Sequence, residues 1–208
     1  MAFVNTAVVI GDDALTDSII MRTITEYKED RITSVGEYGL SHCTELVTVD
    51  LPNVTLVKSY AFINNSKLVT LNLPNLTNGS SYMFANCSAL ARLDLPKLGD
   101  LSNFAIDGCT SLEVLDLGVA TTINARFYSN VNLATLILRN PNVVCSSSLS
   151  NFNVTKIGNG EGYIYVPRAL LNDYKVATNW SVYANQIRAL EDYTVDGTIT
   201  GELDETKI

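Results

Sequence analysis

Leu46, Leu68, Leu90, Leu112 and Leu133 recur at intervals of 22, 22, 22 and 21 residues, and most of the residues around them recur too. No other feature constrains the fold as strongly. A unit of this size cannot bury an apolar face alone, so it gains a core only by stacking on its neighbours. The expectation is a solenoid, which places function on a long stacked surface and not in a single pocket.

Read as rungs, the units run from Ile32 to Pro52, Val54 to Pro74, Leu76 to Pro96 and Leu98 to Gly118. A fifth, one residue shorter, runs from Ala120 to about Pro141. Each contains an L-x-L or V-x-L step that reads as a short strand with alternate side chains inward. The proline that follows in three rungs ends the strand and turns the chain. Three residues before each repeated leucine stand Cys43, Asn65, Cys87, Cys109 and Asn130. A buried column that alternates Cys and Asn satisfies a loop backbone, Asn by hydrogen bonds and Cys as a small, weakly polar filler. Three residues earlier still, Leu40, Phe62, Phe84, Ile106 and Phe127 form a large apolar column that fills the core from the opposite wall.

The unit A-F-x-x-C/N-x-x-L-x-x-L-x-L-P, whole in Ala61 to Pro74, resembles the BspA-like leucine-rich repeat family. The resemblance covers about residues 31 to 141. Tyr163 to Leu190 is similar to the C-terminal cap that closes many such arrays. It implies an α/β or mainly β solenoid, a right-handed superhelix of 22-residue rungs with a parallel sheet, an N-terminal cap and a C-terminal helical cap. It also implies a setting, since family members are bacterial surface adhesion proteins and similar short arrays occur on tailed-phage structural proteins. A repeat scaffold hosts many ligands, so the resemblance fixes the fold far better than the partner.

The organisation expected is an N-terminal cap over 1–30, five repeats over 31–141, a last irregular rung and helical cap over 142–190, and an acidic, hairpin-like tail over 191–208. In the first cap, Asp12 to Ile20 reads as a short helix. Ile24 stands 22 residues before Leu46, so Thr23 to Tyr27 reads as a degenerate first rung that pairs with the sheet. Gly158 to Gly162 reads as a flexible turn, since no Lys-Ser/Thr follows to make a phosphate loop. Pro167 opens a helix over Arg168 to Thr178, with Leu170, Leu171, Tyr174 and Ala177 as its apolar stripe. Trp180, Tyr183 and Ile187 continue that apolar side as cap core. Asp196-Gly197 between β-formers signals a hairpin.

The net charge of −8 disfavours nucleic acid and anionic membranes as partners. No apolar run approaches the ~20 residues of a membrane span, so no membrane insertion is expected. The N-terminal stretch MAFVNTAVVIGDD lacks the basic and apolar regions of a secretory signal. For a complete chain that fits a virion part assembled inside its host better than a secreted adhesin.

No catalytic constellation is visible. His42 is the only histidine, and zinc, calcium and nucleophile motifs are absent, so the expectation is a protein that is not an enzyme and has no cofactor or metal. The cysteines Cys43, Cys87 and Cys109 are expected as buried free thiols. Two outward columns are candidate ligand sites. The first is aromatic: Tyr38, Tyr60, Tyr82 and Phe104, one per rung and suited to stacking on sugar rings or on a partner's apolar side chains. The second is polar: Asp50, Asn72, Asp94, Asp116 and then Ile137, flanked by Thr48, Thr70, Arg92, Val114 and Thr135, on the exposed face of the sheet. The alternative readings are a structural aromatic stack and a solvated face that opposes edge aggregation, with Arg92 offsetting the acids.

Three functions follow. The first is an attachment or structural component of a tailed-phage or prophage virion that contacts a host surface or a neighbouring virion protein. The second is a bacterial cell-surface or secreted adhesin module, and the third is a passive spacer. The partner class is a protein or a cell-surface glycan, and the C-terminal tail is a candidate for joining copies into a homo-oligomer.

Overall fold

The computed structural model describes residues 8–15, 23–146 and 152–193. Within them the chain winds through about eight turns of about 22 residues, all in parallel pairing. The strands in chain order are β1 Val8–Ile10, β2 Glu26–Lys28, β3 Ile32–Val35, β4 Thr48–Asp50, β5 Leu56–Val57, β6 Thr70–Asn72, β7 Asn78–Gly79, β8 Arg92–Asp94, β9 Asp100–Leu101, β10 Val114–Asp116, β11 Thr122–Ile123, β12 Thr135–Ile137, β13 Cys145–Ser146, β14 Tyr163–Val166 and β15 Ile187–Ala189. The single α-helix among the described residues, α1, is Leu171–Val176.

The expected leucine strands form one wall, in the orders β2-β4-β6 and β8-β10-β12-β14-β15. Equivalent residues lie side by side: Thr48 against Thr70, Asp50 against Asn72, Leu93 against Leu115, Leu115 against Leu136. Each rung thus repeats its neighbour's side chain at the same place, which turns the sequence period into columns. The central residues Val49, Leu71, Leu93, Leu115, Leu136, Ile164 and Ile187 all point inward and are buried. Thr23 to Tyr27 does lead into the sheet as expected, with Glu26 in register with Thr48.

A second parallel wall was not anticipated. The start of each rung is also a strand, in the orders β1-β3-β5-β7 and β9-β11-β13. Val35, Val57, Leu101 and Ile123 face inward from it. Between the walls lie the repeated leucines, the residues before each turn (Leu51, Leu73, Leu95, Leu117, Leu138) and the column Leu40, Phe62, Phe84, Ile106, Phe127, all essentially inaccessible to water. Burying one such side chain is worth about 1.5–3 kcal/mol, so every added rung supplies a layer of core. Strand pairing lapses in both walls at one level, between β6 and β8 and between β7 and β9. Gly79 stands at that level, where the Met83 side chain fills the space a Cβ would need.

The ends depart from expectation in two places. Asp12–Leu15 is a turn and not the start of a helix; residues 16–20 of that expected helix lie outside the described residues. The reason is that the Asp12 carboxylate is engaged elsewhere, accepting from Glu37 N–H at 2.7 Å and from Lys58 Nζ at 3.0 Å. At the other end, the helix expected over Arg168 to Thr178 is a 3-10 turn, Arg168–Leu170, followed by the six residues of α1, which stops as Ala177 becomes extended. The cap is therefore less helical than expected, and Ile187 closes the array as part of strand β15. Tyr174 and Trp180 pack edge to face at 5.5 Å, with Tyr174 Oη accepting from Val144 N–H and Trp180 Nε1 donating to Val144 O. The expected hairpin around Asp196-Gly197 lies outside the described residues.

Candidate functional site

The turn between the two walls carries the most regular surface of the molecule. Tyr38, Tyr60, Tyr82 and Phe104 all adopt positive φ, at 53, 60, 58 and 55°. Four residues on, His42, Asn64, Asn86 and Gly108 do so again, at 57, 64, 60 and 74°. Asn and Gly tolerate that conformation; a bulky aromatic residue held there costs of order 1–3 kcal/mol. What offsets the cost is the stack. The rings lie 4.8, 5.0 and 4.7 Å apart from one rung to the next, within 14° of parallel. The column ends where the fifth rung is one residue short: Arg126 stands there, its guanidinium 4.7 Å from the Phe104 ring centre, with Tyr128 at 6.4 Å.

The structure thus brings the four aromatic candidates together as one half-buried stripe. Along its length each ring face lies against the next ring, so the stripe offers partners its edges and the Tyr60 and Tyr82 hydroxyls, not the open faces anticipated for sugar stacking. Burial in the stack, then the neighbouring Tyr60, raises the Tyr38 phenol above its ordinary value. Beside it runs a second surface column, with Asn64 Nδ2 2.8 Å from His42 Nε2 and Asn86 Nδ2 donating to Asn64 Oδ1 at 2.8 Å. At Gly108 a Cβ would collide with Asn86 Oδ1, so only glycine continues that column.

Behind the stripe, the Cys/Asn column serves the backbone as expected. Asn65 Nδ2 donates to Leu40 O at 2.9 Å, Cys87 Sγ to Phe62 O at 3.3 Å, Cys109 Sγ to Phe84 O at 3.2 Å and Asn130 Nδ2 to Ile106 O at 3.0 Å. One donor per rung thus reaches back to one carbonyl per rung. Cys43, Cys87 and Cys109 are buried free thiols, and Cys145 is an exposed one. Burial pushes Cys109 up to about 12 and Cys87 well above its ordinary value.

The polar column on the leucine wall is paired within itself at its open end. Asn72 Nδ2 donates to Asp50 Oδ1 at 2.7 Å, and Arg92 Nε meets Asp94 Oδ2 at 2.7 Å. Its far end corrects the expected exposed face. Asp116 is only 6% exposed and Ile137 is fully buried, although both point away from the core. Asp116 accepts from Arg139 Nη2 at 2.8 Å and from Gly118 N–H at 3.0 Å. For Asp116 the cover comes from Arg139, which stands where the first three rungs carry proline.

Two clefts accompany these columns. One, of about 290 Å³, is lined by Lys28, Glu29, Asp30, Asp50 and Pro52. The other, of about 310 Å³, lies between the last rungs and the cap; Cys145 is the only titratable residue in its lining of Val143, Val144, Ser146, Ala177, Thr178, Asn179 and Trp180. A lone thiol without a base beside it is not a nucleophilic centre. Among the described residues no group of three or more His, Cys, Asp or Glu is placed to hold a metal ion. No helix among them is long and apolar enough to cross a membrane.

A sequence model of the BspA type leucine rich repeat region matches in six copies, over residues 2–113 and 33–155. The chain belongs to the BspA-type leucine-rich repeat family. A solved structure, the leucine rich repeat protein of T. pallidum (TpLRR), is similar to it at 19% sequence identity and a TM-score of 0.57, over 69% of this chain and 65% of that one. At that identity the likeness speaks for the fold alone, and the aligned part spans about 65% of the T. pallidum chain. No curated protein sequence matches. The BspA-type rung therefore accounts for the columns. What the repeat pattern does not contain is the positive φ of the aromatic column, since Tyr and Phe give no sign of it, and the burial of Asp116 and Ile137.

Proposed function

We propose that this BspA-type repeat protein is a non-enzymatic binding or structural protein that works through its outward columns. Its first setting is a tailed-phage or prophage virion, as an attachment or structural component touching a host surface or a neighbouring virion protein. The observation that carries the binding reading is the aromatic stripe. Four rings are locked in strained backbone conformations and in mutual contact, so the surface is rigid before any partner arrives. A preorganised surface loses little conformational freedom on binding. Edges and hydroxyls in a row suit a flat protein surface better than a sugar ring, so a protein is the favoured partner and a cell-surface glycan the second. The family also favours a second setting, a module on the bacterial cell surface, where BspA-type repeats occur.

The test is direct binding of fluorescently labelled protein to bacterial cells and to purified phage tail proteins. Saturable binding that weakens at least tenfold in Tyr60→Ala/Tyr82→Ala, and hardly at all in Asp94→Ala, is the expected result. Absence of saturable binding to either target contradicts the proposal and leaves a passive spacer.

A further inference from the structure

The outer face of the leucine wall is uniform in sequence but divided in space. Asn72 and Asp94 are exposed, whereas Asp116 and Ile137, in the same column, are buried. Ile137 is fully inaccessible yet stands outside the main core cluster. Something covers it from outside. After β15 the chain makes a 3-10 turn, Leu190–Asp192, which leaves Tyr193 against Tyr165 at this end of the face. The Glu191 carboxylate accepts from Arg168 N–H at 3.2 Å, and Asp192 Oδ1 from Arg168 Nη2 at 2.6 Å. The Tyr193 ring meets Tyr165 edge to face at 4.8 Å, and its phenol lies near enough to the Arg92 guanidinium to help hold it charged. Tyr165 belongs to β14 and Arg92 to β8. One side chain therefore reaches between these two strands, across β12 and β10, which carry Ile137 and Asp116.

The covered surface has a definite chemistry. Tyr165 and Ile137 make an aromatic and aliphatic floor. Arg168 stands at its edge and meets the Glu191 and Asp192 carboxylates, Arg92 and Arg139 stand beside it paired with Asp94 and Asp116, and Arg188 lies 4.6 Å over the Tyr163 ring at the same end. An apolar floor with guanidinium groups around it fits a segment that carries carboxylates next to an aromatic ring. Glu191-Asp192-Tyr193 is such a segment, already seated.

We propose that this end of the outer face is a docking groove for an acidic, tyrosine-bearing segment of a partner protein, and that Glu191–Tyr193 fills it in cis. The inference rests on the reading of the chain as a binding protein and gives that reading one partner class. A short covalent connection holds the cis segment at an effective concentration on the order of mM. A free segment of the same chemistry therefore competes poorly until the Tyr193 contact is lost.

The experiment uses a fluorescein-labelled synthetic peptide of residues 190–200 and fluorescence anisotropy. It is titrated against the full chain, its Tyr193→Ala variant and a chain ending at Leu190. The Tyr193→Ala variant and the shortened chain are expected to bind the peptide at least tenfold more tightly than the full chain. Arg92→Ala in the Tyr193→Ala background, or replacement of the peptide's tyrosine by alanine, removes that gain. Should the shortened chain fail to fold, Tyr193→Ala, with an unchanged melt, carries the test. The proposal is overturned if that folded variant takes up no more peptide than the wild type, or if the peptide without tyrosine binds equally well. Either failure leaves attachment through Tyr60 and Tyr82 untouched, because the aromatic stripe lies on a different side of the rung.

Discussion

At the scale of single residues, the conformation of Tyr60 opposes two effects. Positive φ costs an L-residue about 1–2 kcal/mol, and ring stacking returns some of it. Tyr60→Ala and Tyr60→Gly both delete the ring, but only glycine also relieves the backbone. Urea unfolding is expected to find Tyr60→Gly about 1 kcal/mol more stable than Tyr60→Ala; the opposite order would mean that the turn is not held at positive φ. The thiols give a second residue-level prediction. A thiol reagent should titrate one cysteine, Cys145, in the native protein and all four after denaturation. Cys109 and Tyr174 are both raised to about 12 by burial, from ordinary values of 9.0 and 10.0. Raised pKa values mean that the unfolded chain loses these protons first. Their contribution to stability is thus whole below about pH 9 and declines as pH rises from 9 towards 12. Thermal midpoints taken between pH 8 and 11 should fall, and Cys109→Ala should fall less steeply. Much of this scale was legible: the Cys/Asn column shows its role through its spacing and its chemistry. The aromatic turn was not, because only the second positive-φ column, His42, Asn64, Asn86 and Gly108, carries residue types that favour that conformation.

At the scale of elements, the repeated leucine is the anchor of each rung. Leu90→Ala should cost about 2–5 kcal/mol in chemical denaturation, the range for truncating a buried leucine. A loss below about 1 kcal/mol would show that this position does not face the core. The leucine strands could be read from L-x-L because alternation over three residues, repeated five times, is a strong pattern. The second wall could not: β5, β7, β9, β11 and β13 are two residues long and vary in composition, and only their place in the stack makes them strands. The terminal elements were the least legible. The sequence from Arg168 carries a helical apolar stripe, yet tertiary packing of Tyr174 and Trp180 onto Val144 leaves room for only six helical residues. Likewise the Asp12 carboxylate, bound to Glu37 and Lys58 a rung and more away, draws its segment into a turn.

At the scale of the whole molecule, the period makes every outward column look alike along the array, but Arg139 and the segment 191–193 make the last rungs different. The outer face of the leucine wall is open at β6 and β8 and closed at β10 and β12. This asymmetry leaves the aromatic stripe and the open half of the wall as the surfaces available to a partner, and keeps the arginine-rimmed half occupied. The repeat pattern does not reveal it, because Glu191, Asp192 and Tyr193 lie outside the array and Arg139 stands where the first three rungs carry proline. The measurement that tests this most directly is guanidinium unfolding of Asp94→Ala and Asp116→Ala, two substitutions at equivalent places in adjacent rungs. Asp94 is exposed, and its loss should change stability by no more than about 0.5 kcal/mol. Asp116 is buried against Arg139 and Gly118, and its loss should cost about 1–3 kcal/mol by leaving their donors unpaired. Equal and negligible effects at both positions would contradict the account, since the face would then be solvated along its whole length.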